Sequence, residues 1–145
     1  MLKFEGELDV LQQIAEHEAV QATLNGYVDI VASGNAGFVP VVFHPQALIS
    51  GYAFPPGGPP QGVFVVVPAV SGLIEYLKTA RPVKETSPRY RARIAAIEVI
   101  GTLATATILE ESLEGRDFVS HFHLHRVEDK WLITSKSMSS VPARN

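Results

Sequence analysis

The chain has 145 residues, of which 46% are hydrophobic and 19% charged, and a formal net charge of −3. That length predicts one domain able to build its own core. The absence of cysteine excludes disulfides, thiolate metal sites and a cysteine nucleophile, and scattered Lys and Arg under a negative net charge argue against a nucleic-acid surface.

"MLKFEGELDV" has no apolar run of signal-peptide length, and nothing later approaches the roughly 20 apolar residues that span a bilayer. The expectation is a cytoplasmic protein with no membrane partner. "LDVLQQIA" is helix-like. The segment that follows places Val20, Leu24, Tyr27, Val28 and Val31 on one helical stripe, with Glu18, Gln21, Asn25 and Asp29 largely off it. Gly26 weakens this helix by up to about 1 kcal/mol relative to alanine, and its missing side chain leaves room for a close neighbour. "SGN" stops the helix, with Gly34 suited to a left-handed cap.

"AGFVPVVFHPQA" reads as a short helix, with Pro40 acceptable only in its first turn, and then a turn at Pro45. "ALISGYAF" and "GVFVVV" are β-prone runs on either side of "PPGGPP", a surface connection rather than a domain linker. "AVSGLIEYLKTARP" carries Val70, Leu73, Ile74 and Leu77 at helical spacing and stops before Pro82. Four β-type runs follow: "YRARIAAIEVI", "LATATILEES", "DFVSHFHLHRVE" and "KWLITSKSMSS". Their joints, "GT", "LEGR" and "EDK", are short enough to force antiparallel hairpins. The order of elements describes an α+β domain with helices on one face of an antiparallel sheet, to which the earlier β-prone region adds one or two strands.

That order, together with "GYVDIVASGN", "FHPQALISG", "RIAAIEVIGTLATATI" and "DFVSHFHLHRVEDKWLITSK", resembles the nuclear transport factor 2-like superfamily. The nearest branch is the putative lumazine-binding (polyketide cyclase-like, SnoaL-like) one, over about Ala19 to Lys136. The sequence departs from the branch at Glu128-Asp129-Lys130-Trp131, where members commonly read Asp-Gly-Lys-Trp, so a different turn type is expected. A second departure is Thr102-Leu103 after Gly101, where a more polar pair is usual.

The resemblance implies a cone-shaped, cystatin-like α+β fold over 1–145, with a core of about 17–138. Helices and a curved antiparallel sheet would enclose a pocket, and the opposite sheet face would serve a homodimer. The superfamily holds isomerases, dehydratases, cyclases and non-catalytic carriers, so the fold does not select a reaction. It brings no metal motif and no cofactor.

The densest chemical signal is His121, His123 and His125. In a strand they share one face at steps of about 6.5–7 Å, so neighbours could meet at one metal but the outer pair could not. No metal site is assigned. Phe118, Phe122 and Leu124 form the better core face, which puts the histidines outward at solvent or at a dimer interface. The competing arrangement has them lining a partly wet pocket. His44 stands where this fold approaches its pocket mouth, either as a general base or ligand donor or as a ring that caps a turn.

Tyr27, on the apolar stripe, needs a hydroxyl partner if buried, while Asp29 falls on the solvated side. Glu98 could point inward, although a single strand Glu is more often an exposed or paired surface residue; Glu110 and Glu111 fall on opposite faces, and Lys136 is expected to pair across the sheet. Trp131, Tyr52, Phe54 and Phe64 either shape a pocket or form plain core. "PPGGPP" lacks the spacing of a phosphate-binding loop.

The sequence thus points to a small-molecule-binding protein whose mostly apolar pocket takes a hydrophobic or heteroaromatic ligand. The expected ligand set is Tyr27, His44, Tyr52, Phe64, His121 and His123. The alternative is a cofactor-independent isomerase, dehydratase or cyclase using His44 or His123 as acid/base, and a purely structural dimerisation module is a third class.

Overall fold

A computed structural model describes residues 10–144. The N-terminal stretch and the first residues of "LDVLQQIA" lie outside the described residues. Helix α1 (Val10–Ser33) joins the rest of that run to the amphipathic segment in one piece. Its buried positions are Val20, Leu24, Tyr27, Ile30 and Val31: of the stripe that the spacing predicts, Val28 is only half-buried, and Ile30 is buried in addition. Gly34 ends the helix at φ 74°, its N–H donating to the Ile30 carbonyl at 2.8 Å, as a left-handed cap does. A Cβ on Gly26 would come within 3.0 Å of Val42 Cγ2, so that glycine does admit a close neighbour.

A 3₁₀ turn at Ala36–Phe38 leads into α2 (Val39–Val42), with Pro40 in its first turn. The chain then enters β1 (Phe43–Ala53) directly. Pro45 is therefore inside a strand and not in a free turn. The ladder between β1 and β6 shifts register between Phe43 and Leu48, and such an irregularity accommodates a residue that has no N–H to donate. Next come β2 (Val63–Pro68), α3 (Ala69–Thr79), α4 (Val83–Thr86), β3 (Arg91–Ile100), β4 (Leu103–Leu113), β5 (Arg116–Val127) and β6 (Lys130–Pro142).

The six strands form one curved sheet in the order β2-β1-β6-β5-β4-β3. Every pairing is antiparallel except β1 with β6, so the sheet is mixed where the sequence suggested a wholly antiparallel one. The helices cover one face. Tyr27 on α1 meets Phe43 and Phe122 edge-on at centroid separations of 6.1 and 5.1 Å, which identifies the face bearing Phe122, Leu124, Ala104, Ala106, Ile108 and Ile133 as the inner one. All of these are buried. The N-terminal half of α1 is tied to the β5–β6 end by Glu16, which accepts from Trp131 Nε1 at 2.7 Å and Arg126 Nη1 at 2.9 Å.

Two tight turns use left-handed backbone. Glu128 and Asp129 have φ of 49° and 65°, and Glu114 and Gly115 have 51° and 80°, two consecutive positive values as in a type I′ hairpin turn. Glu-Asp thus adopts the geometry that Asp-Gly would take more easily.

Candidate functional site

The inner face is apolar at the end holding Ala104, Leu124 and Ile133, but its other end is not. Glu110 follows Ala104, Ala106 and Ile108 along the inward positions of β4 and is 1% exposed. Both its carboxylate oxygens accept hydrogen bonds. Tyr27 Oη donates to Oε1 at 3.1 Å from α1, and Tyr90 Oη donates to Oε2 at 2.7 Å from the segment before β3.

Lys136 lies across the inner face on β6 and is 8% exposed. Strict alternation from Trp131 and Ile133 would turn it outward. The β5–β6 ladder pairs Ile133 with Leu124 but Ser135 with His123, so Thr134 is an extra residue and everything after it changes face. Lys136 therefore sits opposite Phe122 on the inner side. Its Nζ reaches Met138 Sδ at 3.8 Å and lies 5.5 Å from the Tyr27 ring centroid. It makes no ion-pair contact with Glu110.

Ser120 stands between these two groups. It pairs with Ile108 on one side and Met138 on the other, so Glu110 and Lys136 are its diagonal neighbours on the flanking strands. It is fully buried, and its Oγ has no hydrogen-bond partner among the described residues. A buried hydroxyl left unpaired costs about 1–3 kcal/mol.

The electrostatics follow from burial. Desolvation holds the Lys136 ammonium below its ordinary pKa of 10.5, against the opposing pull of the Glu110 charge. The Tyr27 and Tyr90 hydroxyls are pushed well above 10.0, first by burial and then by the Glu110 charge. Both tyrosines therefore act as neutral donors. The cluster combines a carboxylate with two phenol donors, a desolvated amine and a free hydroxyl.

The residues singled out from the sequence fall in three places. Tyr27 is in this cluster. His44 is half-buried at the start of β1, its Nδ1 accepting from the Gln46 N–H at 3.0 Å within the strand. Tyr52 and Phe64, cross-strand partners with centroids 5.4 Å apart, are 53% and 57% exposed.

His121, His123 and His125 are exposed on the outer face, opposite the buried Phe122 and Leu124, as the outward arrangement requires. His121 and His123 line an outer cleft of about 380 Å³ together with Glu98, Thr105 and Thr107. His44 is not part of that cleft, and the structure does not bring it together with the strand histidines. Glu98 is exposed on the outer face, the commoner placement for a lone strand Glu, and among the described residues Lys136 makes no cross-sheet ion pair. Among the described residues, no group of three or more His, Asp or Glu is placed to hold a metal ion, and no helix is long and apolar enough to cross a membrane.

Glu110, Tyr90, Ser120 and Lys136 are additions to the sequence-derived set. Glu110 had a readable signal, a carboxylate continuing the apolar alternation Ala104, Ala106, Ile108. Tyr90 opens the run "YRARIAAIEVI" but its acceptor lies on the next strand, and Lys136 is hidden by the bulge.

No curated protein matches the chain. Among solved structures it is similar to a protein of unknown function from Shewanella baltica, described as NTF2-like, with 26% identity and a TM-score of 0.76 over 94% of this chain and 100% of that one. An NTF2-like protein of unknown function from Methylobacillus flagellatus shares 22% identity at a TM-score of 0.74, covering 93% and 96%. One from Silicibacter pomeroyi shares 18% at 0.72, covering 92% and 100%. The family model described as "Putative lumazine-binding" matches residues 15–139, and the chain belongs to that family of nuclear transport factor 2-like proteins.

Proposed function

We propose that the protein binds a small hydrophobic or heteroaromatic molecule on the inner side of the sheet. Its polar edge would be read by Glu110, Tyr27, Tyr90, Ser120 and Lys136. The observation that carries this reading is the pairing of two under-satisfied polar groups in one buried place. Among the described residues Ser120 Oγ has no hydrogen-bond partner, and the Lys136 amine faces a thioether and the Tyr27 ring. Buried polar groups are normally hydrogen-bonded, and a ligand edge presenting an acceptor to Lys136 and a partner to Ser120 would satisfy both. The family description supports a bicyclic heteroaromatic ligand.

Thermal-shift screening with lumazine, pterin, flavin and sterol probes tests the proposal, since a ligand that binds only the folded state raises its melting temperature. One class should stabilise the protein, and Ser120→Ala should reduce that shift. A ligand stabilising both proteins equally would remove the cluster from its role.

The outer face supports a second element of the reading. Leu48, Tyr52, Phe64 and Val66 are exposed on the β2–β1 side of the sheet, an apolar set suited to pairing with a second copy about a two-fold axis. Sedimentation of Phe64→Glu against the unsubstituted chain tests it. A dimer converted to a monomer supports the pairing, and an unchanged mass for both contradicts it.

A further inference from the structure

The proposed seat deepens when its amine is considered as a reagent. We infer that Lys136 is a nucleophile that condenses with the carbonyl carbon of a small neutral aldehyde or ketone seated on the inner face. This rests on the ligand-binding reading above and adds the chemical class of the ligand.

Three observations carry the inference. Lys136 Nζ is buried, yet it faces a thioether and an aromatic ring instead of a carboxylate. An amine engaged in an ion pair is held in its protonated, unreactive form, and this one is not so engaged. Burial further favours the neutral amine, which is the usual route to Schiff-base lysines.

The second observation is Glu110, the neighbouring group able to take and return a proton. Its two oxygens are oriented by Tyr27 and Tyr90. The third is Ser120 Oγ, an unpaired hydroxyl between the amine and the carboxylate, available to hold a carbonyl oxygen. An anionic ligand would lie against the Glu110 carboxylate, which no cation contacts directly. A neutral carbonyl meets no such repulsion.

The step balances without a further reagent. The nitrogen lone pair forms a bond to the carbonyl carbon, and the C=O π pair moves to oxygen. The nitrogen proton is passed to that oxygen by way of Glu110, giving a carbinolamine. The C–O bond then breaks as the nitrogen lone pair forms the C=N bond, and the hydroxyl leaves as water with the remaining nitrogen proton, giving an imine with no change in oxidation state overall.

The test uses the intact protein with pyridine-3-carbaldehyde as probe and sodium cyanoborohydride, whose hydride reduces the imine to a stable secondary amine. The site is read by peptide mass spectrometry. Lys136 is expected to carry the dominant label, ahead of Lys78, Lys84 and Lys130, because burial lowers its pKa and leaves more of it as neutral amine. Lys136→Arg, which keeps a long nitrogen-bearing side chain but forms no such adduct, should lose the dominant label while retaining its circular dichroism spectrum. Label spread evenly over the surface lysines, or no label on Lys136, overturns the inference. If Lys136 stays unlabelled while a heteroaromatic probe still shifts the melting temperature in a Ser120-dependent way, the binding reading stands and the carbonyl chemistry falls.

Discussion

Tyr27 on the first helix donates a 3.1 Å hydrogen bond to Glu110 on the fourth strand, 83 residues away in sequence. That bond fastens helix to sheet and also orients a buried carboxylate. Tyr27→Phe removes one of the two donors and should destabilise the fold by about 1.5–3 kcal/mol, the range for hydrogen bonds to charged groups. Tyr90→Phe should do the same. Because the two donors share one acceptor, the double variant should depart from additivity. Urea denaturation measures all three, and purely additive effects would mean that the donors do not share their load.

Lys136 sets a pH dependence whose sign can be worked out. Its folded-state pKa lies below 10.5, so between that lowered value and 10.5 the unfolded chain binds more protons than the folded one. Stability then rises with pH, at up to about 1.4 kcal/mol per unit. Tyr27 and Tyr90 act oppositely. Their folded values lie above 10.0, so stability falls once the unfolded tyrosines ionise. Lys136→Met should abolish the rising limb and keep the falling one. Chemical denaturation across alkaline pH reads both, and a rising limb unchanged in Lys136→Met would contradict the assignment.

Gly51 has φ 142°, and a Cβ there would run into the Met138 carbonyl and approach its Cγ at 2.7 Å. Met138 is the residue that Lys136 touches. Gly51→Ala should therefore cost about 2–4 kcal/mol through strain and overpacking. A change in urea midpoint equivalent to less than about 0.5 kcal/mol, the size of an ordinary surface substitution, would show that the strands relax freely.

Asp129 occupies a left-handed position at φ 65°, and such positions disfavour residues bearing a Cβ. Asp129→Gly should stabilise the hairpin by about 0.5–1 kcal/mol. Thermal unfolding checks this, and a lower melting temperature would contradict it.

Much of the fold was readable from local chemistry. The α1 stripe follows from helical spacing, the last four strands from short polar joints, and the outward histidines from strict alternation against Phe122 and Leu124. The parallel β1–β6 pairing was not readable, because nothing local to Pro45 or Leu48 specifies a partner some 90 residues away. The site was legible only in part. Tyr27 appears on its stripe, and Glu110 breaks an apolar alternation at its inward position. Lys136 is concealed because one extra residue, Thr134, reverses the face of everything after it. The histidines drew attention through their spacing, but the buried polar groups lie on the other side of the sheet.

The most direct measurement is a crystal structure of the protein with whichever probe gives the largest thermal shift. The account predicts the probe on the inner face, within hydrogen-bonding distance of Lys136 Nζ and Ser120 Oγ and beside the Glu110 carboxylate. A probe bound only in the outer cleft at His121 and His123, with Ser120 still unpartnered, would contradict it.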